Sequence, residues 1–269
     1  MTYKLGGVPT QKAIWFDGSA DRAYYTPGSS GIANLSPQPN EAWSVFLWGK
    51  NCSTSSHKVF CGQRNTASPY GGWDFGVNPA TSTANSLYVD LHSDVSGLRT
   101  ITVASGAGFS TPLNAVGWYH IGFTYDGTGN ASGCKIYCNG QLVPTTNTLS
   151  SGTAGEFAGG TMAVMPLCLA DLANGPWSFE QEYTACQFAV YSGALSATQV
   201  QDIYSGTGER PGPCDLRNKL GGAAGITLVG YWLYGNDSDS ITTLQDGTSN
   251  NFDLTGSSLL DGQLLTVKI

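Results

Sequence analysis

Apolar and polar side chains alternate with a period of two along much of this chain, a spacing that predicts strands. The clearest run spans 118–125, with Tyr119, Ile121, Phe123 and Tyr125 on one face and His120, Gly122 and Thr124 on the other. Within 86–92, Leu87, Val89 and Leu91 share a face in the same way. The run 43–48 is apolar on both sides, Trp43, Val45 and Leu47 opposite Phe46 and Trp48, as a central strand covered twice would be. Further strands are predicted at 13–16, 59–63, 72–77, 133–138, 141–143, 161–169, 185–191 and 227–234. Asp17-Gly18 and Asp126-Gly127 supply turns, and Asn139-Gly140 is a strong two-residue hairpin signal.

One stretch has helical spacing. Ser196 and Gln199 form a capping box, Leu195 and Val200 stand at the positions of a hydrophobic staple, and Ile203 and Tyr204 continue the apolar side. With Gly206 closing it, a helix of about two and a half turns is predicted near 196–205, covering one edge of the strands. The fold expected from this pattern is all-β, antiparallel and two-sheeted, with a single short helix.

Composition agrees and narrows the chemistry. Glycine takes 36 of 269 positions, and Lys, Arg, Asp and Glu together supply only 12% against the usual quarter. Five glutamates are too few for a helical bundle or coiled coil. The net charge of −7 and pI near 4.7 argue against nucleic acid and anionic membranes, which need clustered Lys and Arg. No apolar run approaches the ~18 residues of a spanning helix. The opening MTYKLGGVPTQKAIWF lacks the apolar centre of a secretory signal, so synthesis and folding in a cytoplasm are expected. Seven cysteines is an odd number, and Cys134 and Cys138 are not a zinc-type pair. Cys134, Ile136 and Cys138 fall on one strand face, as do Cys186, Phe188 and Val190, which reads as buried thiols acting as small hydrophobes.

Several motifs in order resemble a known superfamily. The strand Trp118-Tyr-His-Ile-Gly-Phe-Thr-Tyr-Asp-Gly127, followed by Lys135-Ile-Tyr-Cys-Asn-Gly-Gln-Leu-Val143, resembles the core of laminin G-like, concanavalin A-type jelly rolls. Phe16-Asp-Gly-Ser-Ala-Asp-Arg-Ala23 looks like their first strand, and 190–204 like their last strand and short helix. This resemblance implies a jelly-roll sandwich: an N-terminal arm at 1–12, then one domain at 13–269, with its core at 13–205 and a returning extension at 206–269. The tail segments 212–218, 228–234 and 246–251 resemble extensions of such proteins in tailed bacteriophages. That implies a virion surface protein assembled in the host cytoplasm, foremost a capsid decoration protein. It would bind the major capsid protein as a homo-oligomer, a trimer by expectation, and dock through 1–12 or the tail after Gly256. The alternative it implies is an adhesin or receptor-binding component that holds host-surface glycans.

The superfamily also contains glucanases, whose laminarinase-like members carry Glu-x-Asp-x-x-Glu on one strand; that pattern is missing here. Glu180 and Glu182 are the one close Glu pair and read as a solvated edge, so no enzyme is expected, and a glycoside hydrolase is the third choice. The three histidines, His57, His92 and His120, are far apart in sequence, and His120 reads as an outward strand residue hydrogen-bonded to a neighbour. Sugar binding needs aromatic platforms beside polar donors, and Tyr70, Trp73, Asp74 and Trp177 are the candidates. No cofactor is required. A calcium ion is conceivable from loop oxygens at Asp237, Asp239 and Asp246, with Asp17 and Asp21 as a second set. The competing reading for both sets is Asx side chains bonding their own backbone in turns.

Overall fold

A computed structural model describes residues 10–18, 21–50, 58–65, 71–77, 86–93, 99–105, 117–149, 164–172, 182–206, 225–233, 240, 242–259 and 264–268. Among them, strands follow in chain order as β1 (Thr10–Asp17), β2 (Arg22–Tyr25), β3 (Trp43–Lys50), β4 (Lys58–Arg64) and β5 (Gly72–Val77). Then come β6 (Leu87–Ser93), β7 (Arg99–Ser105), β8 (Tyr119–Tyr125), β9 (Cys134–Cys138), β10 (Gln141–Leu142) and β11 (Thr145–Leu149). The chain continues through β12 (Leu167–Leu169), β13 (Glu182–Ser192), the helix α1 (Ala197–Gly206) and β14 (Thr227–Trp232). It closes with β15 (Thr243–Leu244), β16 (Leu254–Ser257) and β17 (Leu264–Lys268).

Two antiparallel sheets result. The first runs β10-β9-β8-β3-β13-β1-β17, with β14 also on β13; the second runs β11-β7-β6-β5-β4-β12-β2-β16-β15. β13 is the organiser of the first sheet. Its first half pairs with β1 and its second half with β14, while its other side lies along β3. An irregularity between Cys186 and Ala189, with Gln187 at φ 53, marks the changeover.

The inward faces meet in one aromatic core. Trp43 packs on Trp73 and Phe123, each at 4.9 Å between ring centroids. Phe16 stacks on Tyr183, which also touches Phe60. The alternation at 118–125 is realised: Ile121, Phe123 and Tyr125 are in the core, and β3 is central between β8 and β13. Gly122 faces the other way, where a Cβ would collide with the Val45 carbonyl and the Phe46 ring. Asn139 and Gly140 both have positive φ, 48° and 76°, as the β9–β10 hairpin requires.

The helix forms as its capping box predicts. Gln199 N–H donates to Ser196 Oγ at 3.2 Å, and Ser196 N–H donates to Gln199 Oε1 at 2.8 Å. Its place differs from the expected edge. Leu195, Val200 and Ile203 pack with Phe46, Tyr137, Ala189, Tyr191 and Tyr231, so α1 seals the outer face of the first sheet across several strands.

Three other expectations are corrected. The strand expected at 161–169 is Leu167–Leu169 among the described residues, since Pro166 has no N–H to give a ladder. The strand at 227–234 ends at Trp232. Thr10–Lys12, placed in an arm, belong to β1, where they pair with β17 of the returning extension. Ladder bonding ties 10–12 to the sandwich, and residues 1–9 lie outside the described residues.

Candidate functional site

Two places on the outer faces carry chemistry. On the second sheet, β4, β5 and β6 present Arg64, Asp74, Tyr88, Asp90 and His92, because Trp73, Phe75, Leu87, Val89 and Leu91 take the inward positions. Asp74 stands directly opposite Asp90, and the residue pair beside them is Gly72 and His92. Asp74 is fully buried, and its Oδ2 accepts from Arg64 Nη1 at 2.6 Å. Burial raises the Asp74 carboxyl, but the Arg64 guanidinium, then His92 and the Tyr88 hydroxyl outweigh it and hold the group below its ordinary value. Tyr88 itself is pushed well up by burial and by Asp74 and Asp90. Among the described His, Cys, Asp and Glu, this is the one group in which three ligand atoms, from Asp74, Asp90 and His92, lie within 4.8 Å of one another.

The second place is on the outer face of the first sheet. Trp15 is opposite Thr184, and Thr184 is opposite Lys50, so the three form a row across β1, β13 and β3. Gly49 pairs with Tyr119, which puts Trp118 beside Lys50 at the next step; Lys50 Nζ lies 4.9 Å from the Trp118 ring centroid. Trp15 is 38% exposed, an uncommon state for a tryptophan. Two residues along, on the same face, Asp17 pairs with Glu182. The result is two indoles three strands apart, about 14 Å at normal strand spacing, with a cation between them and carboxylates alongside.

The candidate residues read from the sequence distribute differently. Trp73 is 1% exposed and packed on Trp43, with its indole N–H on Gln63 Oε1, so it has no free face for a sugar. Asp74 is tied to Arg64 beneath the surface. Both are corrected from exposed platform residues to buried ones, because strand 72–77 is covered on both faces. Tyr70 and Trp177 lie outside the described residues, as do Asp237, Asp239, His57 and Glu180. Glu182 is exposed at the start of β13.

Asp246 does not fit a calcium ligand. Its Oδ1 accepts from the Tyr231 and Thr248 amides, and its Oδ2 from Thr248 Oγ1 and the Phe252 amide. Four donors occupy about the four lone-pair sites a carboxylate has, so this side chain pins the 246–252 turn onto β14. Asp21 Oδ2 likewise accepts the Asp17 amide, which is turn chemistry.

His120 is outward, as its alternation predicts, but lies under α1, stacked on Phe46 at 5.2 Å and beside Trp48. Its Nδ1 has no hydrogen-bond partner among the described residues, and burial pushes its pKa down to about 3. Cys61, Cys134, Cys138, Cys168 and Cys186 are buried and form no disulfide. Burial raises the Cys61, Cys134, Cys138 and Cys186 thiols, Cys138 to about 12, so these four are inert rather than nucleophilic. Cys52 and Cys214 lie outside the described residues.

Residues 24–201, about two thirds of the chain, match the family described as the concanavalin A-like lectin/glucanases superfamily. The chain belongs to that superfamily. No curated protein matches it. A candidate carbohydrate-binding protein from Bacteroides ovatus ATCC 8483 superposes with a TM-score of 0.58 at 14% identity, covering 97% of this chain and 60% of that one. This chain therefore spans about 60% of that protein's length. The sialidase CBM40 of Ruminococcus gnavus bound to α2,3 sialyllactose gives 0.49 at 14% identity, over 74% of this chain and 100% of that one. A heptameric SAP-like pentraxin of Limulus polyphemus gives 0.47 at 13%, over 82% and 92%. The likeness to the Bacteroides ovatus protein shows a shared fold.

Trp15 is the residue the sequence reading passed over. Its signal was present: in Ala13-Ile-Trp-Phe16, Ile14 and Phe16 are inward by alternation, which leaves Trp15 outward.

Proposed function

We infer that this protein is a non-catalytic, lectin-like binding domain that holds an oligosaccharide across the outer face of its first sheet, between Trp15 and Trp118. The exposed Trp15 indole, in one row with Lys50 and Trp118, is the observation that carries this reading. Sugar rings offer apolar faces for stacking and hydroxyls for hydrogen bonds; the indoles serve the first and Lys50, Asp17 and Glu182 the second. The fold shared with the Bacteroides ovatus protein supports it. A glycan array followed by titration calorimetry tests it. Trp15→Ala is expected to weaken the best ligand by about tenfold or more, roughly 1.4 kcal/mol, with little change in Tm because the side chain is already half in water. Equal binding by wild type and variant, or hydrolysis of the glycan that Glu182→Gln abolishes, would refute the reading.

A second reading sets the same fold on the surface of a tailed-bacteriophage particle, as a decoration protein bound to major capsid protein as a homotrimer. It is favoured by the resemblance of the tail, whose Leu228-Val-Gly-Tyr-Trp232 stretch lies in β14 and docks on β13. Under this reading, mass spectrometry of purified particles finds hundreds of copies, resistant to salt. A few dozen copies would assign it instead to a tail or fibre, and none would dismiss a virion role.

A further inference from the structure

The cluster on the second sheet is not used by the glycan reading, and its chemistry points elsewhere. Two carboxylates directly across a strand pair repel, and such a pair is destabilising unless something between them carries positive charge. Arg64 meets part of that need by taking Asp74 Oδ2. Arg64 is bonded to Asp74 Oδ2 and not to Oδ1. Asp74 Oδ1 is buried and accepts no hydrogen bond, although a buried carboxylate oxygen without a donor is costly. His92 adds an imidazole on the same face, its Nε2 3.8 Å from Asp90 Oδ2.

We propose that Asp74, Asp90 and His92 form a binding site for a divalent first-row metal ion of the Zn²⁺ type. The donor set selects the ion. Two carboxylates and one imidazole suit Zn²⁺, with Mn²⁺ next, whereas calcium prefers six to eight oxygens. Ligands at about 2.0–2.2 Å from a tetrahedral Zn²⁺ sit roughly 3.4 Å apart. The Asp90–His92 pair is already near that spacing, and side-chain rotation closes the remaining gap from 4.8 Å. The placement also has a structural reason. Asp90 and His92 alternate along β6 and Asp74 is fixed in register on β5, so three ligands come from two rigid paired strands rather than from loops. Arg64 stays on Oδ2 and orients the carboxylate so that Oδ1 is the oxygen left for the ion, the part that partners of metal ligands commonly play. The ion would join β5 to β6.

The test uses the full chain, stripped with a chelator and dialysed against Zn²⁺. Wild type is expected to retain one Zn²⁺ per chain and to gain thermal stability in proportion to the logarithm of free metal. His92→Gln and Asp90→Asn, each checked for a wild-type circular dichroism spectrum in the metal-free state, are expected to weaken retention by about ten- to a hundredfold. Co²⁺ substitution of wild type gives a readout that needs no variant: d–d bands of nitrogen and oxygen ligation, without a thiolate charge-transfer band. The proposal is overturned by no retention in wild type, by undiminished retention in both variants, by a thiolate band, or by binding of Ca²⁺ in place of Zn²⁺. Glycan affinity of the same samples is read in parallel; because Trp15 lies on the other sheet, its failure and that of the metal site are separate results.

Discussion

Arg64→Met is expected to destabilise the metal-free protein by about 3–5 kcal/mol, the usual consequence of removing one partner from a buried ion pair. The Asp74 side chain is 0% exposed and that of Arg64 16%, so the carboxylate left behind is buried without its donor. The variant also leaves Asp90 facing Asp74 without the nearby positive charge of Arg64. Adding Asp74→Asn removes the orphaned charge, and the double variant is expected to recover at least half of the loss. Urea denaturation of wild type, both single variants and the double variant gives the coupling directly. Additive losses would mean that the pair is not coupled and that Arg64 acts through packing alone.

Acid is expected to destabilise the fold well before its carboxylates titrate, through His120. Its folded pKa, pushed down to about 3 by burial, lies below the ordinary 6.5 of the unfolded chain. The unfolded state therefore binds the proton more readily between those values. Stability from this group is complete above pH 6.5 and falls as the pH drops toward 3. Between pH 7 and pH 4 the loss is about 3 kcal/mol. Asp74 adds a second decline only further down, as the pH falls below 3.8 through its lowered folded value. His120→Phe keeps an aromatic ring between Phe46 and Trp48 and removes the titrating group, so its urea midpoint should change little from pH 7 to pH 4. An unchanged acid slope in that variant would place the sensitivity elsewhere.

The strands that alternate cleanly were legible because burial on one face imposes a period of two. Residues 72–77 became β5 with the predicted ends, 118–125 became β8 less one residue, and the Ser196–Gln199 box gave α1. Arg99–Ser105, with Thr-Ile-Thr-Val alternation, was equally legible and was passed over. Thr243–Leu244 and Leu254–Ser257 were not legible, since edge strands of two to four residues are too short to show a period. The site failed for a related reason. Alternation tells which residues share a face, but it does not tell what covers that face. Trp73 and Asp74 both looked available beside a glycine-rich turn, yet one entered the core and the other went under cover with Arg64.

The sequence by itself determined an all-β sandwich with one capped helix and buried thiols at Cys134, Cys138 and Cys186, because periodicity, turn residues and caps are local signals, and its ordered motifs carried the resemblance to a lectin-like superfamily. Only the tertiary structure decided which polar residues meet. Asp74 and His92 are 18 positions apart in the chain, and Trp15 and Lys50 are 35 apart; each pair is brought together by strand register alone. Register is fixed by the summed burial of whole strands on both faces, a property no short stretch of the chain contains.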